Sequence, residues 1–215
     1  GNFKKIEDTE DVLPDILKSH RYKINQFLFA RNRLLDMLIG DFDRHADQWK
    51  WGVNKKGDQT MYEPIPTDRD QAFSTKSGLA LNLIIALSGM NFLQSYSYKI
   101  SNVQALSTIN RLLDRRFTNE LTLKDWEDIA RDLQVRLTDS VISASVHGLP
   151  PEIFDIRGKI LIEKLKTRRN DLVGYANKYY RVLSESAEVV GTEEDDYFEI
   201  NNSDNNTTQV NIYHL

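Results

Sequence analysis

The chain has 215 residues, 28 of them basic and 32 acidic, for a formal net charge of −4; 40% are hydrophobic and none is cysteine. That mixture describes a folded domain with one sizeable core, or one core plus an appendage. It excludes a disulfide scaffold, a thiol nucleophile and a thiolate metal site. The longest apolar run, residues 79–87, is about half the ~18 residues that a membrane helix needs, so no membrane span is expected in this segment. The chain opens on Gly1 without a secretory signal and reads as a piece excised from a longer protein.

Charge divides the chain. All 28 basic and 24 of the 32 acidic residues lie before Ser184; from there on eight residues are acidic and none is Lys or Arg. We therefore expect a helical domain over 1–184 and an acidic β segment over 185–215 that begins, or links to, a second β module. The mildly basic body lacks the clustered stripe of a nucleic-acid binder, and no nucleic-acid partner is expected.

In chain order, Ile24, Phe27, Leu28, Leu35 and Leu38 recur at helical spacing and predict an amphipathic helix over about 21–40, closed by Gly40. Arg31, on its apolar stripe, is expected to lay its stem along the core and keep its head in water. Trp49, Trp51 and Val53 then alternate before Asn54-Lys-Lys-Gly57, and Met61, Tyr62 and Ile65 follow, so about 49–73 reads as a β-hairpin. Helical patterns resume at about 76–88, 103–117, 122–134 and 138–147. Pro150-Pro151 opens a long helix with Leu161, Leu165, Leu172, Ala176, Tyr179 and Leu183 on one face. In the tail, strands are expected at 197–200 and 209–213 around the turn residues 201–206. Asn201, Asn205 and Asn206 each open an N-x-[ST] sequon there, best explained as an amide-rich hairpin tip. The expected class is α+β, mainly α: a helical body with one hairpin and a short C-terminal β segment.

Two segments do not behave as core filling. Asp41-Phe42-Asp43-Arg44-His45-Ala46-Asp47-Gln48 crowds polar groups where the first helix meets the hairpin, and Thr67-Asp68-Arg69-Asp70-Gln71 lies at the hairpin's far end. A hairpin returns on itself, so its ends are expected to bring Asp43 and Gln48 near Asp68 and Asp70. Converging carboxylates need a proton, an arginine or a cation between them. Mg²⁺ or Mn²⁺ held by one or two carboxylates plus substrate phosphates meets that need, and phosphoryl transfer uses such a set. An ion-pair network of Arg44, Arg69 and the aspartates pinning the hairpin meets it equally well. Zinc is disfavoured because His45 has no histidine nearby, with His20, His147 and His214 scattered. No G-x-S-x-G supports a serine triad.

Asp43-Arg44-His45 after an apolar helix, followed by Asp68-Arg69-Asp70 and an aromatic, resembles the atypical protein-kinase-like group: CotH spore-coat kinases, HipA-type kinases and secreted kinases of the animal secretory pathway. The likeness runs over roughly 20–185, where Leu112-Leu-Asp-Arg-Arg-Phe117 and Leu165-Lys-Thr-Arg-Arg169 are similar to the helical C-terminal lobe of CotH. More narrowly, D-R-H-x-D-Q-W and P-I-P-x-D-R-D-Q-x-F look like a module of large Bacteroidetes envelope proteins, which implies a periplasmic or outer-membrane-associated setting. The resemblance implies catalytic roles for Asp43, Arg44 and His45, with Asp43 the base. It implies a metal site of Asp68 and Gln48 with Asp70 auxiliary, Mg²⁺ or Mn²⁺ and ATP as cofactors, a protein substrate, and the rest of a longer chain as partner. Gln48 stands where the group has Asn. No G-x-G-x-x-G occurs, so the phosphate-gripping lobe is expected from elsewhere and this segment alone is expected to be inactive. The alternative is a non-catalytic pseudokinase or scaffold module.

Overall fold

A computed structural model describes residues 3–76, 87, 92–203 and 207–214. The fold is α+β and mainly α. A short strand β1 (Ile6–Asp8) leads into α1 (Thr9–Lys18), β2 (Tyr22–Ile24) and α2 (Gln26–Ile39). The helix expected from residue 21 thus starts five residues late. Tyr22–Ile24 pairs in parallel with Thr60–Tyr62, and the Asn25 side chain accepts the Leu28 N–H at 3.0 Å, so the first turn is capped there. Gly40 closes α2 with φ +75°; a Cβ there would sit 2.8 Å from the Tyr96 ring, so both backbone and space require glycine.

A 3₁₀ turn (Ala46–Gln48) precedes β3 (Trp49–Lys56) and β4 (Gln59–Pro66). The two strands pair from Trp49↔Pro66 to Lys56↔Gln59 around Gly57, whose φ is +61°. The sheet order is β1-β3-β4-β2. The helix expected over 76–88 lies outside the described residues apart from residues 76 and 87. The single helix expected over 103–117 is instead α3 (Val103–Leu106) and α4 (Arg111–Phe117). Next come α5 (Leu123–Arg136) and α6 (Asp139–His147), close to expectation. A reciprocal Thr122–Asp125 capping box starts α5.

The long helix after Pro150 is interrupted twice. Pro151–Ile153 forms α7 and runs through a π turn (Phe154–Gly158) into α8 (Lys159–Asn170). Asp171, at φ −88° and ψ 2°, separates α8 from α9 (Leu172–Ser184). The apolar stripe read across it is real but belongs to two helices. Strands β5 (Asp196–Ser203) and β6 (Thr207–His214) form the expected antiparallel tail. It is tied to the body: Glu193 N–H donates to Leu17 C=O at 2.8 Å, and the His20 ring meets the Asp196 carboxylate at 2.5 Å.

Two cores result. The larger packs Leu34, Met37 and Leu38 of α2 against Trp126, Ile129, Ala130 and Leu133 of α5 and Leu172, Tyr175, Ala176 and Tyr179 of α9. The smaller seats the hairpin on α2: Phe29 lies 4.6 Å from Trp49 and edge-on to Phe117 at 5.4 Å, with Val12, Trp51 and Tyr62 around it. Burial of these rings fixes where the hairpin's open end falls relative to the end of α2. Among the described residues no helix is long and apolar enough to cross a membrane.

Candidate functional site

The open end of the hairpin brings the two polar segments together. Thr67 N–H donates to Gln48 C=O at 3.0 Å, and Trp49 is in register with Pro66. Arg44 clamps this closure from beneath. Its Nη1 donates to Gln48 C=O at 3.2 Å and to Thr67 C=O at 2.5 Å, and its guanidinium lies 5.2 Å from the Trp49 ring centre. The arginine has no exposed surface.

What pays for burying that charge is a network seen only in part from the sequence. Asp36, on α2 and fully buried, accepts N–H groups from Arg33 Nη1 (2.9 Å), Arg44 Nε (3.0 Å), Arg44 Nη2 (3.1 Å) and Arg69 Nε (2.9 Å). Arg44 Nη2 also donates to Asp41 at 3.0 Å, and Arg33 Nε to Asp114 at 2.8 Å. Asn110 and the Tyr179 hydroxyl donate to Asp114 as well. Three arginines thus meet three buried carboxylates; Arg33 and Arg44 are closed to water, and Arg69 reaches in from the partly exposed rim.

The electrostatics follow from that closure. Burial pushes the Asp36 carboxyl up, but Arg33, Arg44 and Arg69 outweigh it and hold it below the usual carboxylate range. Asp114 is pushed up, because burial exceeds the pull of Arg33 and its hydrogen bonds. Asp41 is pushed up to about 6 by burial and by the charge of Asp36, against Arg44.

The expected site residues divide accordingly. Arg44 is committed inward. Asp43 and His45 are half-buried, and His45 Nδ1 lies 3.8 Å from the Asp47 carboxylate. Gln48 is buried and its Oε1 has no hydrogen-bond partner. Asp68 and Asp70 are exposed; Asp68 accepts the Asp70 N–H at 3.1 Å, and Asp70 accepts Gln71 Nε2. None of Asp43, Asp68 and Asp70 forms an ion pair with a described residue, because both local arginines turn to Asp36. The arginine network anticipated around the hairpin therefore exists, but on Asp36, Asp41 and Asp114. The signal that could have found it was Asp36 itself, an acidic residue between Leu35 and Met37 in an otherwise apolar run.

Backbone strain marks the same place. Asp68 (φ 47°) and Phe73 (φ 60°) are the two non-glycine residues with positive φ among those described, and both fall in the D-R-D-Q-x-F segment. Among the described residues no three His, Asp or Glu side chains are grouped to hold a metal ion. A closed protein cage is thus not formed. Gln48 Oε1 is buried without a hydrogen-bond partner, and the exposed Asp68 has no ion pair with a described residue.

Other charged groups have partners elsewhere. Lys164 donates to Tyr96 C=O, Lys166 pairs with Asp139 at 3.0 Å, and Arg31 pairs with Asp132 at 3.1 Å. His147 bonds Ser143 C=O at 2.7 Å and packs, tilted by 35°, against the Phe154 ring. Comparison with protein-family models, with curated proteins and with solved structures finds no match to this chain.

Proposed function

We propose that the chain carries the catalytic-lobe half of a metal- and ATP-dependent phosphotransferase of the CotH and HipA kind, acting within a longer cell-envelope protein that supplies the phosphate-gripping half. The observation that supports this reading is the division of charge. Arg44 and Arg69 are drawn down onto Asp36, which leaves Asp43, Asp68 and Asp70 without a cationic partner among the described residues at the hairpin's open end. Asp43 would accept the proton of an attacking hydroxyl. Asp68 and Gln48 would hold the cation, with Asp70 beside them. A bound Mg²⁺ or Mn²⁺ would neutralise charge on the transferred phosphoryl group. Arg44 would be a positioning residue, keeping the segments of Asp43 and Asp68 at a fixed separation.

The test is a thermal-shift titration, with Mn²⁺ and ATP together, of the longer protein that contains this chain. Saturation near 100 times Kd is worth about 2.7 kcal/mol, a rise in Tm of roughly 5–10 °C for a domain of this size. Asp68→Ala should abolish the rise. Asp43→Asn should preserve it while removing phosphoryl transfer from the longer protein. No rise, or one that survives Asp68→Ala, overturns the reading.

A second reading, a non-catalytic scaffold or pseudokinase module, draws support from two features. Arg44, a member of the inferred catalytic triplet, is wholly occupied by five hydrogen bonds inside the protein, and no three-group metal cluster forms among the described residues. Under it, Asp43→Asn and Asp68→Ala leave every binding and assembly property unchanged.

A further inference from the structure

We propose that Asp41 is a proton-operated latch on the loop that carries Asp43: it stays seated beside Asp36 while it holds a proton and is driven toward water when it loses it. The geometry is that of two carboxylates competing for one donor. Arg44 Nη2 is shared between Asp36 Oδ1 at 3.1 Å and Asp41 Oδ2 at 3.0 Å, so two acidic groups converge on a single nitrogen. Like charges so placed do not ionise independently, and the less well held of the pair keeps the proton. Asp36 is the better held, with four N–H donors from three arginines. Asp41 has one side-chain donor and is only 3% exposed.

Position adds to the asymmetry. Asp41 directly follows the Gly40 cap, and its N–H donates to Asp36 C=O at 2.9 Å, so its carboxylate sits at the negative end of α2. Among the described residues the groups acting on it are Asp36, which opposes its charge, and Arg44, Arg33 and the backbone of Asp43, which favour it. Burial and Asp36 prevail, and its carboxyl titrates at about 6.

Linkage sets the direction. A carboxyl with a higher proton affinity when seated than when released holds the seated state at low pH and weakens it as pH rises through the seated value. The loop between Asp41 and Gln48 then loosens, and with it the separation of Asp43 from Asp68. The inference does not depend on phosphoryl transfer and stands or falls on the loop alone.

The test is amide hydrogen exchange at Asp41, Gln48 and Thr67 from about pH 3 to about pH 7.5, corrected for intrinsic rates, a range that spans the rise of the Asp41 carboxyl from 3.8 to about 6. Protection should fall about tenfold for each unit separating seated and released carboxyls. Asp41→Asn should remove the pH dependence and keep the protection seen in acid, whereas His45→Gln should retain the transition. Titration of the Asp41 carboxyl carbon by NMR in the unmutated protein should be centred where the fall in protection levels off, which guards against a variant that fails to fold. Flat protection in the unmutated protein, a transition surviving Asp41→Asn, or protection that goes on falling above the carboxyl's own titration overturns the proposal.

Discussion

Replacing Asp36 by Asn removes one charge and almost no volume, and the structure sets the size of the effect. Asp36 has no exposed surface and accepts four N–H groups from Arg33, Arg44 and Arg69. With an amide in its place, Arg33 keeps only Asp114 and Arg44 only Asp41, while Arg69, whose side chain is 30% exposed, keeps no carboxylate among the described residues. Breaking a buried pair from one side costs about 3–5 kcal/mol, because the remaining charge stays buried without a partner. For a chain of this length that is a fall in Tm of roughly 6–20 °C. Urea unfolding followed by circular dichroism should show the midpoint falling at constant slope, the signature of lost stability rather than altered compactness.

Asp43→Asn is the paired control: half-buried and without an ion pair, Asp43 should change stability by no more than about 0.5 kcal/mol. The pH dependence has a definite sign. Asp36 is held below its ordinary value, so its stabilisation is present above the ordinary carboxylate range and disappears as pH falls through the depressed native value. The difference between the two proteins should therefore shrink in strong acid. If Asp36→Asn costs less than about 1 kcal/mol, or Asp43→Asn costs as much, the network is not what holds the hairpin to α2.

Other substitutions probe separate parts of the argument. Asp41→Asn should cost far less than Asp36→Asn at neutral pH: its carboxyl is raised from 3.8 to about 6, so native stability is greatest below the lower value and declines as pH rises through the upper one, a decline that equilibrium unfolding should no longer show in the variant. Gly40→Ala places a Cβ at φ +75° and 2.8 Å from Tyr96, and should destabilise by about 1–3 kcal/mol in the same assay. Tyr179→Phe withdraws a hydroxyl from the buried Asp114 carboxylate and should cost about 1–3 kcal/mol. Thr122→Ala breaks the capping box of α5 and should cost about 1 kcal/mol, with helix fraying visible as faster amide exchange over its first turn.

Much of this protein was legible in local pattern. The helical spacing of Phe27, Leu28, Leu35 and Leu38, the alternation of Trp49 and Trp51, and the glycines at 40 and 57 locate α2 and the hairpin. The face α2 buries is nevertheless that of Phe29, Leu34, Met37 and Leu38, Phe27 is exposed, and pairing of Tyr22–Ile24 with β4 sets its start. Hairpin closure likewise follows from chain connectivity, and it alone brings Gln48 beside Thr67. Sequence spacing could not decide which aspartate each arginine would choose. Arg44 and Arg69 lie among Asp43, Asp68 and Asp70, yet both bond to Asp36, whose neighbours in sequence are Leu35 and Met37. Packing of α2 beneath the hairpin closes that space to water, and the energy of a buried charge depends on what surrounds it in three dimensions, from Asp114 on α4 to Tyr179 on α9. Short-range order was set by residue type along the chain; the partition of charge between an inward network and an unpaired outer rim was decided only when distant elements met.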